Sequence, residues 1–394
     1  MAVVNRFAEL APAIADWRRD IHAHPEILFD THRTSALVAE KLRGFGVDEV
    51  VEGIGRTGVV GVIRGRATGS GRVIGLRADM DALPMPEATG LAHASRTPGA
   101  MHACGHDGHT AMLLGAAQYL AETRNFDGTA VVIFQPAEEG GGGGREMVED
   151  GLMDRFGIEQ VFGLHNMPGL PVGDFALRPG PLMAASDTFT IVVTGRGGHG
   201  ALPHATVDPV LAAAQIVTAL QQVASRNADP LKPAVLSVTS LRTSSNASNV
   251  IPEEVEMVGT ARSLDDETQD LIERRMGEIV AGVAAAHGAT ARFVYERGYP
   301  VTANAVAETE FAARVAADVV GTARVDTDAP ALMGAEDFSF MLKARPGAFI
   351  FVGNGDSAGL HHPKYDFNDE VIPVGCSYWV RLVEAAMPAG GTTG

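Results

Sequence analysis

The sequence predicts an α/β fold: one domain with a mixed, helix-covered sheet, interrupted by an inserted α+β domain. Three observations carry this. Apolar strand-like runs interleave with helical periodicities through the first 184 residues, the pattern of a sheet covered on both faces. From about residue 185 to 297 the order becomes β-α-β-β-α-β, a split βαβ of about 110 residues. After Pro300 the first pattern resumes. The expected domains are therefore 1–184 with 298–394, and 185–297.

The elements follow in order. Val4, Phe7, Leu10, Ile14, Trp17 and Ile21 recur at helical spacing with polar residues between them. That is a core-facing amphipathic helix, ending at Pro25, rather than an export signal. A second helix is expected at 31–42, before Gly44 and Gly46. Strands are expected at 59–63, 73–76, 129–134, 161–164 and 173–177, with helices at 109–123 and 145–152. Inside the insert, strands at 187–194, 235–241, 255–261 and 290–295 alternate with helices at 209–225 and 267–286. This is a ferredoxin-like order. Helices at 306–320, after Glu336 and at 374–387, with a strand at 348–352, complete the first domain. Five consecutive glycines at 140–144 read either as a flexible loop or as close backbone approach at a site.

Composition excludes several classes. The net charge is −17, so nucleic acid and anionic membrane surfaces, which need basic patches, are not expected partners. No stretch of 18 apolar residues is present to span a bilayer. Two cysteines, Cys104 and Cys376, cannot staple 394 residues, which excludes a disulfide framework and fits the reducing cytoplasm.

Chemistry concentrates in a few segments. Residues 101–110, MHACGHDGHT, hold His102, Cys104, His106, Asp107 and His109 among glycines that permit a tight fold. Imidazole and thiolate suit zinc and similar divalent ions. The alternatives are a polar loop opening a helix, and a structural zinc site, although the latter usually wants paired thiols. Residues 134–140, FQPAEEG, place Glu138 and Glu139 directly after a strand, where sites form in open α/β sheets. A metal would separate their roles, one carboxylate binding the ion and the other carrying a proton. A solvated loop pair is the plainer alternative. RADMDALP at 77–84 offers Asp79 and Asp81, which could ligate metal or orient a ligand histidine. GLHN puts His165 at a strand end, and LHHP puts His361 and His362 in a late loop.

RDIHAHPE, RADMDALPMPE, HACGHDGHT, QPAEEGGGG, GLHN, GGHGALPH, SNVIP, MGAEDFSF and LHHPKYDFND occur in that order from first helix to last. Together they resemble the hippurate hydrolase and indole-acetyl-amino-acid hydrolase family of metallo-amidohydrolases. These are relatives of the aminoacylases and of the dinuclear zinc carboxypeptidases. The resemblance implies a zinc-exopeptidase-like catalytic domain with a lid and dimerisation insert. It implies two divalent ions, zinc, manganese or cobalt, on Cys104, His106, Glu139, His165 and His361, with His362 excluded. Glu138 is then the general base as a metal-activated water attacks the amide of an N-acyl amino acid. Asp81 matches the aspartate that supports a ligand, while Asp79 stands where relatives have a ligand histidine and is not assigned to metal. His199 matches an oxyanion-stabilising histidine reaching a partner subunit's site. Asn249 and Arg262 match substrate-binding positions, and Glu336 lines the pocket. A homodimer or homotetramer through the insert is implied. Dipeptidase or carboxypeptidase activity is the alternative reaction. A metal-binding protein without catalysis is a third reading, against which the intact Glu138 argues.

Overall fold

The computed structural model describes residues 3–389. It divides into two compact units. One comprises the chain up to Leu182, Ala303–Pro330 and the chain from Asp337; the other comprises Met183–Thr302 and Ala331–Glu336. Residues 1–2 and 390–394, expected in the first domain, lie outside the described residues. The second unit runs later than residue 297 because its last strand continues to Tyr299. It takes in Ala331–Glu336 because the Ala184 amide donates to the Leu332 carbonyl at 3.1 Å. Such pairing across more than a hundred residues leaves no local signature in sequence.

The first unit is built on an eight-stranded mixed sheet. From edge to edge its strands are Glu49–Ile54, Gly58–Arg64, Thr129–Gln135, Val73–Asp79, Gln160–Pro168, Gly347–Gly355, Phe175–Ala176 and Val325–Asp326. The four central strands, from Thr129–Gln135 to Gly347–Gly355, are mutually parallel. Gly58–Arg64 and Phe175–Ala176 flank them antiparallel. Parallel strands bury both faces, which is why TAVVIF and AFIFV read as continuous apolar runs. Alternation still sorts the faces. Ala348, Ile350 and Val352 join the main core cluster, while the Phe349 ring packs 5.5 Å from Phe338 of helix Phe338–Ala344.

Helix His106–Thr123 is almost wholly buried, and it packs against Arg6–Ala23 and Ile372–Ala386. Gly115 permits this approach, since a Cβ there would strike Ile14 and Cys376. The helix starts three residues earlier than its periodicity suggests. Gly105 takes a left-handed φ of +92° and turns the chain into it. The edge strand Glu49–Ile54 escaped the sequence reading because its half-exposed residues show neither a clean alternation nor an apolar run. Strand Gln160–Pro168 runs four residues past the expected end and carries His165.

The second unit has an antiparallel sheet in the order Ala234–Thr243, Glu254–Ser263, Ala185–Thr194, Thr290–Tyr299. Helices Pro209–Gln222 and Asp266–Ala286 pack on it around Phe189, Ile191, Met257 and Ile272. Asp208 caps the first helix by accepting from the amides of Val210 and Leu211, with Pro209 at its first position. Strand order and connection are those of the split βαβ. Among the described residues no helix is long and apolar enough to cross a membrane.

Candidate metal centre

Parallel strands deliver their C-terminal ends to one edge of the sheet, where α/β proteins place their sites. Asp79 pairs with Gln135 in register, and Arg77 pairs with Gly163, so His165 comes level with Asp79. The loops leaving these ends bring together residues far apart in sequence. Ligand atoms of Cys104, His106 and His165 lie within 4.8 Å of one another. The same holds for Cys104, Glu139 and His361, and for His106, Glu138 and Glu139. Cys104 thus belongs to two trios. All five residues expected to hold metal converge.

Hydrogen bonds decide which atoms remain available. His106 Nδ1 donates to the Asp81 carbonyl at 2.9 Å, and Nε2 has no hydrogen-bond partner among the described residues. His165 Nδ1 donates to the Asn166 carbonyl at 2.6 Å, turning Nε2 toward Cys104 Sγ at 3.4 Å. A carbonyl on one ring nitrogen fixes the proton there and leaves the other for a metal. His109 is different. Its Nδ1 meets Asp79 at 2.6 Å, and its Nε2 accepts from the Asn166 amide at 2.9 Å. Both nitrogens are committed, so His109 is a support rather than a ligand. His362 Nδ1 accepts from the Lys364 amide at 3.1 Å, and it belongs to none of the trios.

The electrostatics ask for a cation. Burial pushes the Cys104 thiol up, and Glu139 pushes it further. Burial opposes charge on His106, yet Asp79 and Cys104 hold its imidazole well above the usual histidine range. The pocket therefore stabilises positive charge beside the thiol. Burial, and then His109, keep His165 neutral. The Glu139 carboxylate raises His361, whose Nε2 lies 3.2 Å from Glu139 Oε1. Thiolate, imidazole and carboxylate around an orphaned Nε2 fit a divalent ion of borderline softness.

Asp81 holds the glutamate pair. One of its oxygens accepts from the Glu138 amide at 3.0 Å, and the other from the Glu139 amide at 3.1 Å. Ala137, just before, sits at φ +56°, which a turn this tight requires. Asp79 is fully buried and committed elsewhere, to Arg77 at 2.6 Å and to His109. Arg77 also reaches Asp337 at 3.0 Å. Asp337, pushed up to about 6 by burial against the pull of Arg77, accepts from Gln135 Nε2 at 2.7 Å and from the Gly144 amide at 2.8 Å. The glycine tract is thus a close approach of backbones, since a Cβ on Gly143 would strike the Pro136 carbonyl.

Sequence reasoning missed Asn166 and Tyr365, although both lie inside motifs it singled out. Asn166 Nδ2 donates to the Cys104 carbonyl at 2.6 Å, and Tyr365 Oη donates to Asn166 Oδ1 at 2.7 Å. A Cβ on Gly105 would strike both side chains, so only glycine fits there.

In the second unit His199 and Asn249 come together. His199 pairs with Val250 in a two-stranded ribbon, and the Gly200 amide donates to the Asn249 carbonyl at 2.8 Å. His199 and Asn249 are exposed. Arg262 is not with them. It lies near the other end of strand Glu254–Ser263, about 26 Å along at 3.3 Å per residue. Its guanidinium donates to the Ala261 carbonyl at 2.9 Å and to Thr260. Glu336 is buried, and its carbonyl accepts from the Thr302 hydroxyl at 3.2 Å.

Residues 75–385 match the sequence profile of Peptidase family M20/M25/M40. The chain belongs to this family. It is 42% identical over 382 residues to the hippurate hydrolase of Campylobacter jejuni, covering 97% of this chain and 98% of that one. It is 40% identical over 389 residues to thermostable carboxypeptidase 1 of Saccharolobus solfataricus, covering 95% and 96%. Among solved structures, a dinuclear metal binding peptidase of the M20 family from Bacillus subtilis superposes with a TM-score of 0.84 at 34% identity, covering 97% of this chain and 100% of that one. As a member of the family, the chain is a hydrolytic enzyme acting on amide bonds.

Proposed function

We propose that this enzyme hydrolyses N-acyl amino acids to a carboxylic acid and a free amino acid, with two divalent ions held by Cys104, His106, His165, Glu139 and His361. The observation that carries the reading is the membership of Cys104 in two trios, with the Glu138 carboxylate in a third beside them. Divalent ions bound there would supply Lewis acidity, polarising the amide carbonyl and making water a better nucleophile near neutral pH. Glu138 takes the proton of the attacking water and delivers it to the leaving nitrogen. Asp81 fixes Glu138 by accepting its backbone amide. His199 stabilises the developing oxyanion, Asn249 holds the substrate carbonyl, and Arg262 grips the carboxylate through its two-pronged guanidinium.

The separation of His199 and Asn249 from Arg262 along the second unit supports a pocket that takes Arg262 from one copy and the other two residues from another. His199 and Asn249 then serve a second copy, which makes the enzyme a homodimer or a homotetramer built through this unit. Cys104 and Cys376 are both unpaired and buried, in keeping with a cytoplasmic enzyme. A carboxypeptidase is the second reading, favoured by the likeness to the Saccharolobus carboxypeptidase.

A substrate panel separates these readings. Hippurate, N-acetyl amino acids and dipeptides with a free α-amine are assayed with zinc, manganese or cobalt in turn. Higher kcat/KM on the acylated compounds is expected. Preference for the dipeptides favours the peptidase reading. No turnover by metal-loaded protein on any of them overturns both.

A further inference from the structure

The motif RDIHAHPE has no part in the chemistry above, yet its His22 is completely buried at the end of helix Arg6–Ala23. Its Nδ1 lies 2.8 Å from Asp107 Oδ2, which also accepts from Arg18 Nη1 at 3.3 Å. Asp107 directly follows His106 on the ligand-bearing helix. On the other edge of the ring, Nε2 lies 3.4 Å from Glu87 Oε2, an ion-pair distance without a hydrogen bond.

Glu87 organises a loop. Its Oε2 accepts from the Ser95 amide at 2.7 Å, and its Oε1 accepts from the Thr89 hydroxyl. The next residue, Ala88, donates its amide to the Pro363 carbonyl at 2.7 Å. Pro363 closes the turn carrying His361, which sits at φ +61° and donates its own amide to Ala103 at 2.8 Å. Two further contacts fasten the loop: the Arg96 amide donates to the Ala23 carbonyl at 2.9 Å, and His93 Nε2 lies 3.0 Å from Asp366.

One imidazole therefore touches the supports of both halves of the ligand set. Toward His106 it acts through Asp107; toward His361 it acts through Glu87, Ala88 and Pro363. Because Cys104 belongs to both trios, a shift of either half disturbs both. A protonated imidazole suits the place, since it offers N–H groups at opposite edges to two carboxylates. Against the cost of burial, those carboxylates hold His22 at about 9.

We propose that His22 is a positioning residue that sets the spacing between the His106 half and the His361 half of the metal centre. This rests on the reading that Cys104, His106, His165, Glu139 and His361 hold two ions. The test uses the full chain, stripped of metal and titrated with Co2+. Binding is followed by equilibrium dialysis and by the thiolate charge-transfer and d–d absorption bands. His22→Asn keeps an N–H toward Asp107 and loses the reach to Glu87. Glu87→Gln keeps the shape and removes the charge.

Wild-type protein is expected to bind two Co2+. In both variants the weaker-bound Co2+ should lose about tenfold or more in affinity, the scale of losing a group that orients a ligand, with a changed d–d spectrum. His22→Ala should weaken both ions; if it fails to fold, the two milder variants decide. Wild-type stoichiometry, affinity and spectrum in His22→Asn and Glu87→Gln overturn the proposal, even if their metal-free forms melt at lower temperature. Fewer than two Co2+ on the wild-type protein overturns the metal reading itself, and this inference with it.

Discussion

Two glycine-flanked motifs, HACGH in the first unit and GRGGHGA in the second, end in opposite situations. Gly105 folds the first so tightly that Cys104 and His106 are buried among polar side chains with one atom each left toward the trios. The second leaves His199 exposed on a two-stranded ribbon, its Nδ1 accepting from the nearby Ala201 amide at 3.0 Å. The difference separates two kinds of functional residue. On the proposed function, Cys104 and His106 are fixed before a metal arrives, because misplaced ligands cost affinity directly. Groups that meet only the substrate can wait at a surface until binding orders them.

The comparison can be broken at several points. Cys104→Ala should do the most damage, lowering metal content by elemental analysis and abolishing turnover, since it removes one residue from two trios. Unchanged metal occupancy would count against thiolate ligation. Glu138→Ala should keep its metal yet lose about a hundredfold or more in kcat, the scale of a general base. His199→Ala should also keep metal and lose about a hundredfold in kcat, as for an oxyanion donor. Loss of metal in that variant would erase the distinction between the two motifs.

Stability rather than turnover tests the support of the first unit. Arg77→Met leaves Asp79 and Asp337 buried without their cation, and it should cost about 3–5 kcal/mol by urea unfolding of metal-free protein. A change within error would show that the carboxylates simply take up protons. The last test is alkaline. Asp107 and Glu87, against burial, raise His22 from 6.5 to about 9. A raised histidine stabilises the fold fully below about pH 6.5, and that stability is lost as pH rises through about 9. The melting temperature should therefore decline across this window, and less steeply in His22→Asn.

Much of the fold was readable from periodicity. The buried strand Thr129–Gln135 and the helix Val306–Val320 emerge within a residue of expectation, because their apolar patterns are long and regular. Where packing overrides pattern, reading fails. The edge strand Glu49–Ile54 is polar enough to pass for a loop, and Phe175–Ala176 is shorter than its apolar run. The candidate ligands were legible because the motifs that carry Cys104, His106, Glu139, His165 and His361 resemble those of a known family, in the same order. Their supports were not: Asn166, Tyr365 and Arg77 matter through partners up to 260 residues away.

By itself the sequence determined the chemical inventory, the alternation of strands and helices, and the likeness to a family of amide hydrolases. Only the tertiary structure decided which atoms of that inventory stay free. His106 and His109 stand three residues apart on one helix, equal as imidazoles. Among the described residues, one keeps an Nε2 without a partner, and the other spends both nitrogens on Asp79 and Asn166. A histidine's role follows from the hydrogen bond at its other nitrogen, and that bond comes from residues the chain brings back from far away.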